Sequence, residues 1–403
     1  MKNFWIIDGS SLVHREYFSS IPLEMKYART PEEKEAEEWR LLQINGTYIN
    51  AINGFFTQLK AIMTFQKPDY LAVCFDKSRL TTFRRKLYPE YKAQRNPTPY
   101  PLKQQMEKTR RLCKEMGIPT FYSDEYEADD YAGSLAKKFA SPDVKVHLLT
   151  TDRDYLQLID DHTVCHMMIT NKEKYDQLVQ NYGQRKGPLG TYEYDANICY
   201  SELKVLPNQI TDWKGLSGDV SDNIPGVKGV SDRSVVPLLR EYQSIDGIYS
   251  YLDSHSDDEA KESWKDLGIS RPPVAALHKG REDAFFFRDL ATIKTDIPIE
   301  MNLREFSNLP GNEEFSNLAN EYGLMALDDL LSRINDYENR RSFKLDKMDR
   351  VQHFNFDNES VIKEDSISDH VNDEQTKLST ESTYTEDLDE PDDEYGEDFD
   401  MWA

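Results

Sequence analysis

The stretch Glu125–Tyr131, EYEADDY, places four acidic residues in seven, and Glu127, Asp129 and Asp130 fall inside one helical turn. Like carboxylates so close repel and raise one another's pKa, which destabilises a bare fold. Either this is a solvated helix start, where acids suit the positive end of the macrodipole, or the acids are held against a cation. The rest of the chain decides. Phe4–Ile7 ends at Asp8, Tyr70–Phe75 ends at Asp76, and Val144–Thr150 runs into Asp152 and Asp154. These short apolar runs read as buried strands that each deliver a carboxylate at their C-terminal end. Between them lie helical stretches: Ala51–Phe65, Lys103–Met116 and an acidic helix starting at Glu125. Alternation of strands with helices predicts a mostly parallel α/β sheet with right-handed crossovers. Its strand-end acids then meet on one edge, where open α/β sheets bind ligands. Thr120–Tyr122 adds a short strand, and Val164–Met168 is expected to close the sheet edge.

Two further blocks carry chemistry. Lys77–Arg95, KSRLTTFRRKLYPEYKAQR, is dense in Lys and Arg and interleaved with Phe83, Tyr88 and Tyr91. Bases with aromatics suit backbone phosphates and base stacking, against the alternative of a solvated helical face. Gly218–Ser234, GDVSDNIPGVKGVSDRS, brings Asp219 and Asp222 one turn apart and then a tight turn with Pro225, Gly226 and Gly229. Such a turn between two short helices offers backbone N–H groups to a phosphate.

The polar, Gly-rich stretch from Thr170 to Gly190 marks a domain junction. It divides a catalytic domain, 1–190, from a helical domain, 191–342. From Phe343 to Ala403 the chain has 20 acids against 5 bases and few large apolar residues, so it is expected to be disordered. Its tip, PDDEYGEDFDMWA, mixes acids with aromatics and reads either as a docking segment for a partner or as a solubilising tail. The net charge of −24 is therefore mostly the tail's; the other 342 residues carry −9, which a nucleic-acid binder with clustered bases can tolerate. Glu24–Gln43, rich in Lys and Glu, is expected to be an exposed insertion or surface helix, and Ile293–Ile299 a strand or extended segment. The longest apolar run is six residues, far short of the roughly 20 that span a bilayer. No secretory signal precedes Asp8. The four cysteines are scattered with no CxxC pair and no His cluster is visible, which disfavours zinc and disulfides and suits a cytoplasmic setting.

DGSS at Asp8, FD at Asp76 followed by FRRKLYPEYKAQR, EADD at Glu127–Asp130, TTDRD at Thr150–Asp154 and GDVSDNIPGVKG together resemble the 5′ nucleases. That family includes the small domain of bacterial DNA polymerase I, bacteriophage 5′ exonucleases and flap endonucleases. The blocks match in order from about residue 3 to 300. The resemblance implies a PIN/resolvase-like mostly parallel sheet flanked by helices, with a helical arch near 77–100. It also implies a C-terminal helical helix-hairpin-helix domain of SAM fold. No polymerase domain follows, so a free-standing, monomeric enzyme is expected. One metal cluster is implied at Asp8, Asp76, Glu127, Asp129, Asp130 and Asp152, and a second, looser one at Asp154, Asp219 and Asp222. Arg84, Lys92 and Arg95 match the arch bases that grip the scissile phosphate. Arg85, Tyr91, Asn223, Gly226, Val227, Lys228 and Gly229 are implied contacts to DNA, the turn often with a K⁺ ion. Ser231 stands where a second turn glycine is usual and Arg233 where a lysine is usual.

The expected activity is 5′–3′ exonuclease and structure-specific flap cleavage of DNA, with RNA primers on DNA left open. Two Mg²⁺ ions, replaceable by Mn²⁺, would serve phosphodiester hydrolysis, and oxygen ligands suit them. No nucleophilic Ser, Cys or His arrangement is visible, so direct attack by a metal-activated water is expected, with Lys92 and Arg84 stabilising developing charge. The alternatives are a PIN-type endoribonuclease, which would lack the basic block and the glycine turn, and a catalytically silent replication adaptor, against which the nine acids stand.

Overall fold

The computed structural model describes residues 1–335, except Lys186 and Leu189, so the acidic tail expected to be disordered or to dock a partner lies outside the described residues. Residues 1–330 form one compact unit. A six-stranded sheet runs through it: β1 (Lys2–Asp8), β4 (Tyr70–Cys74), β5 (Thr120–Phe121), β6 (Val144–Thr150), β7 (Thr163–Met168) and β8 (Thr191–Tyr194), in the order β5-β4-β1-β6-β7-β8. A two-stranded hairpin, β2 (Gln43–Ile44) and β3 (Thr47–Tyr48), stands apart from it. All sheet pairings are parallel except β7 with β8. The central strands are nearly continuous in Val, Ile, Leu and Phe because both faces are covered.

On one face, Phe4, Ile6, Ala72 and Leu148 share a core with Ala132 and Leu135 of the helix Ala128–Phe139. The helix Gly9–Ser20 lies against the sheet with Asn50–Phe65 and Tyr100–Glu115 packed on it. Gly9 permits this at close range, since a Cβ there would sit 2.5 Å from the Phe75 ring.

One expectation shifts. Val164–Met168 is not the sheet edge: β8 adds an antiparallel strand outside it, just past the expected junction at 190, after the helix Lys172–Tyr182. Residues 293–299, expected as a strand or extended segment, form no strand. Their amides bond instead to the helix Ala128–Phe139: Lys294 N to Asp130 Oδ1 at 2.9 Å and Ile297 N to Ser134 Oγ at 3.1 Å. Gly133 makes room, because a Cβ there would lie 3.0 Å from the Lys294 carbonyl oxygen.

Residues 24–43 are exposed short helices, as expected, with a Thr30–Glu33 capping box opening Pro31–Ala36. Beyond β8 the chain is helical, from Ala196–Leu203 to Arg281–Ala291. Among the described residues no helix is long and apolar enough to cross a membrane.

Candidate active site

Because β4, β1 and β6 are adjacent and parallel, their C-terminal ends fall side by side. Asp8 ends β1 and caps the helix Gly9–Ser20. Its Oδ1 accepts from Ser11 N at 2.9 Å and its Oδ2 from the Ser11 and Thr150 hydroxyls, each at 2.7 Å. Asp76 follows β4; its amide donates to Ser10 Oγ at 2.8 Å and its Oδ1 accepts from Ala128 N at 2.9 Å. Asp152 follows β6, with its amide on Thr150 Oγ1 and its Oδ1 accepting from Asp154 N. The strand-end acids thus meet as the pattern requires. Burial, with Asp76 beside it, pushes the Asp8 carboxyl up to about 6.

The acidic turn splits into unequal parts. Glu127 is the N-cap of the helix Ala128–Phe139, and Asp130 closes a capping box by accepting from Glu127 N at 3.0 Å. Asp130 is fully buried and takes four donors: Arg84 Nη1 and Nη2 at 2.8 and 2.6 Å, Glu127 N and Lys294 N. Expected as a metal ligand, it stands with Glu127 and Asp129 in a group that could hold a cation, although its oxygens already take four donors from the protein. Arg84, expected to grip a phosphate, is only 1% exposed. Its Nη1 also donates to Glu127 at 2.7 Å, and its Nε and Nη2 donate to the carbonyls of Leu290 and Thr292, both at 3.0 Å. All its donors are spent inside the protein, so it acts as a buried clamp. Asp129 differs: its Oδ1 is buried with no hydrogen-bond partner. Burial and the neighbouring Asp130 push its carboxyl well above the usual range. Burial acts against ionising Glu127 too, yet Lys92 and Arg84 outweigh it and hold that carboxyl at about 2.

A second acidic group joins Asp154, Asp219 and Asp222. Lys214, which the sequence reading missed, sits between the first two: its ammonium donates to Asp154 Oδ1 and to Asp219 Oδ2. It lies one turn before Asp219 on the helix Ile210–Ser217, a spacing that could have flagged it. Asp219 turns the chain by accepting from Ser221 N and Oγ, and its backbone pairs with Ile224 on both sides.

The basic block stitches the two groups together. Lys92 Nζ donates to Glu127 Oε1 at 2.9 Å and lies 3.7 Å from Asp222. The Tyr91 hydroxyl lies 3.2 Å from Glu127 and 2.9 Å from Asp222. Arg95 Nη2 donates to Asp222 Oδ1 at 2.9 Å, while Arg85 reaches back to the Tyr91 carbonyl. No helical arch stands here. Residues 77–99 contain one five-residue helix, Phe83–Leu87, and otherwise turns, bends and irregular backbone, with Pro89, Pro97 and Pro99 interrupting any longer helix. Lys92 itself has left-handed backbone, φ +53°, with its amide on the Asp222 carbonyl.

The glycine turn has two faces. Gly226 is buried at φ +63°, where a Cβ would lie 2.3 Å from Gly218 N, so only glycine fits. Val227, an expected DNA contact, is instead core: it is 2% exposed and its amide donates to the Leu216 carbonyl. Asn223 donates to the Glu90 carbonyl at 2.7 Å and ties the turn to the basic block. Lys228 and Gly229 are exposed and remain open to a ligand.

The residues fit divalent cations. Buried carboxylates crowd together, their donor set is all oxygen, and Asp129 Oδ1, 3.8 Å from Arg84 Nη1, accepts no hydrogen bond from the protein.

A mostly parallel sheet with acids gathered at one edge, joined to a helical domain with a tight glycine turn, defines a resolvase-like fold carrying a carboxylate site for divalent cations. Residues 3–183 match the model of the 5′-3′ exonuclease N-terminal resolvase-like domain, and residues 205–314 that of the 5′-3′ exonuclease C-terminal SAM fold. The chain belongs to the 5′-3′ exonuclease family. It is 34% identical to DNA polymerase I of Caldicellulosiruptor bescii over 77% of this chain and 31% of that protein. With DNA polymerase I of Chloroflexus aurantiacus it shares 32% identity over 74% and 27%. The chain thus spans about a third of the length of these relatives. A crystal structure of the T5 D15 protein co-crystallised with metal ions aligns with a TM-score of 0.48 at 18% identity, covering 83% of this chain and 99% of that one.

Proposed function

We propose that this chain is a divalent-metal-dependent 5′–3′ exonuclease that also cleaves 5′ flaps in DNA. The observation that carries the reading is that Asp8, Asp76 and Asp152 follow the C-terminal ends of three adjacent parallel strands, with Asp76 bonded to the amide that opens the helix carrying Asp129, whose buried Oδ1 accepts no hydrogen bond. Asp8, Asp76, Glu127, Asp129 and Asp152 would hold one Mg²⁺, with Mn²⁺ able to replace it. Asp154, Asp219 and Asp222 would hold a second. Bound there, the ions supply an activated water and offset the charge of the phosphate.

The protein's own groups do the rest. Thr150 and Ser11 fix the orientation of Asp8, and the Ala128 amide fixes Asp76. Lys92 and Arg95 neutralise Glu127 and Asp222 in the metal-free protein. Once cations satisfy those carboxylates, the two bases face the entering phosphate and stabilise charge developing on it. Lys228 and the Gly229 amide receive the duplex backbone, with K⁺ at the same turn. Arg84 keeps its clamp throughout.

The test is cleavage of a 5′-labelled flap beside plain duplex, single strand and RNA–DNA hybrid, each with Mg²⁺ and with EDTA. Metal-dependent cutting at the flap junction is expected. Binding without cleavage in Mg²⁺ and in Mn²⁺ would overturn the reading and favour a DNA-structure adaptor.

A further inference from the structure

The sheet gathers a second set of ligating side chains, well away from the acid edge. His147 on β6, His166 on β7 and Glu193 on β8 come from three neighbouring strands. His166 pairs directly with Glu193, and it pairs with Leu149, two residues on from His147, so all three side chains stand on one face. His147 Nδ1 lies 3.0 Å from His166 Nε2, and His166 Nε2 lies 3.6 Å from Glu193 Oε2. Trp5 stacks on both imidazoles, with ring centroids 4.8 and 4.6 Å away. Both histidines are buried. Thr150, which holds Asp8, is three residues further along β6, about 10 Å by strand rise.

We propose that His147, His166 and Glu193 form a structural site for one late first-row divalent cation, zinc by its donor chemistry. Two imidazoles and a carboxylate suit zinc, whereas magnesium prefers all-oxygen sites. The spacing agrees. A tetrahedral zinc with bonds of about 2.0–2.1 Å holds its ligand atoms roughly 3.4 Å apart, between the 3.0 and 3.6 Å found here. Proton accounting agrees as well. Two ring nitrogens point at each other across 3.0 Å and share at most one proton between neutral rings. A cation in its place satisfies both lone pairs. His147 Nε2 then carries the proton and donates to Asn3 Oδ1, 3.2 Å away, the outer-shell oxygen that ligating histidines usually have. Glu193 keeps its other oxygen toward Lys145, 3.9 Å away, and turns Oε2 to the histidines. His166 Nδ1, which would carry that ring's proton while Nε2 ligates, is buried without a partner among the described residues. The cation would tie β8, held to the sheet by β7 alone, to β6 as well.

Co²⁺ added to the EDTA-stripped full chain is the probe. Tetrahedral nitrogen-ligated Co²⁺ absorbs intensely in the visible, whereas octahedral oxygen sites absorb weakly. One equivalent should give intense bands that survive a large excess of Mg²⁺ and are bleached by one equivalent of Zn²⁺. The bands should persist in Asp129→Asn and vanish in His147→Gln. Zn²⁺ should raise the wild-type Tm and leave that of His147→Gln unmoved. Should His147→Gln unfold, Glu193→Gln at the sheet edge serves the same purpose, its bands lost or strongly weakened. Weak bands only in the wild type, or intense bands that survive in both His147→Gln and Glu193→Gln, would overturn the assignment.

Discussion

The two acidic groups at the sheet edge are neutralised in opposite ways. Around Glu127 and Asp130, the charge is met by Arg84, which is buried and also bonded to two backbone carbonyls. Around Asp222 and the far side of Glu127, it is met by Lys92 and Arg95, whose side chains are 13% and 18% exposed and whose stems are long. The first arrangement cannot be exchanged without breaking the fold; the second can yield to a cation or a phosphate. Close carboxylates are therefore not equivalent ligands. One of them, Asp130, is bonded into the frame, while its neighbour Asp129 keeps a buried oxygen that accepts no hydrogen bond and has only Arg84, 3.8 Å away, to offset it.

Four experiments test that contrast. Arg84→Ala should be the most damaging to stability. It leaves Asp130 buried and uncompensated, a loss of about 3–5 kcal/mol that a fall in the urea midpoint would show. An unchanged midpoint would break the comparison. Lys92→Ala should do the reverse, leaving the midpoint nearly intact while cleavage of a flap slows about 10²–10³-fold in Mg²⁺.

Third in size is a pH effect on the metal-free protein. Asp8 is raised from 3.8 to about 6 and Asp129 is raised also, so the folded state binds more protons than the unfolded one in that range. Metal-free stability should then fall as pH climbs from about 4 through about 6, by roughly 2 kcal/mol. Mg²⁺, which prefers the ionised acids, should raise Tm far more at pH 8 than at pH 5. Equal shifts at both would mean these carboxylates do not bind it. The smallest effect belongs to Lys228→Ala, which should weaken DNA binding about uniformly and reduce the salt slope by about 1, seen in titrations at several salt concentrations.

The acid edge was legible because each strand ends where its apolar run ends. Asp8, Asp76 and Asp152 needed only that pattern and parallel order. Asp130 was not legible as a frame residue, since three acids in one turn look alike in sequence. What distinguishes it is an arginine 46 residues before it and an amide 164 residues after it. Lys214 was passed over because one of its partners, Asp154, opens a short helix 60 residues earlier and the other, Asp219, sits in a turn. The histidine pair was hidden by register: 19 residues separate His147 from His166, and only the β6–β7 pairing brings them together. The sheet edge was misplaced because TYEY, at residues 191–194, is four residues long and half polar, too little to declare a strand. The helical arch near 77–100 was implied by the family resemblance and not by charge and aromatics, and here prolines and acid partners shape the block instead.

The carbonyls of Leu290 and Thr292 that receive Arg84, and the Lys294 amide that receives Asp130, have a consequence for synthesis on the ribosome. Every strand of the sheet has been made by residue 194, yet the acidic turn lacks its last partners until about a hundred residues more have emerged. An emerging chain therefore carries a nearly complete sheet whose most repulsive corner is still open, and closing it is among the last and longest-range steps available. The order of translation thus places closure of the acid edge after synthesis of most of the helices that follow the sheet.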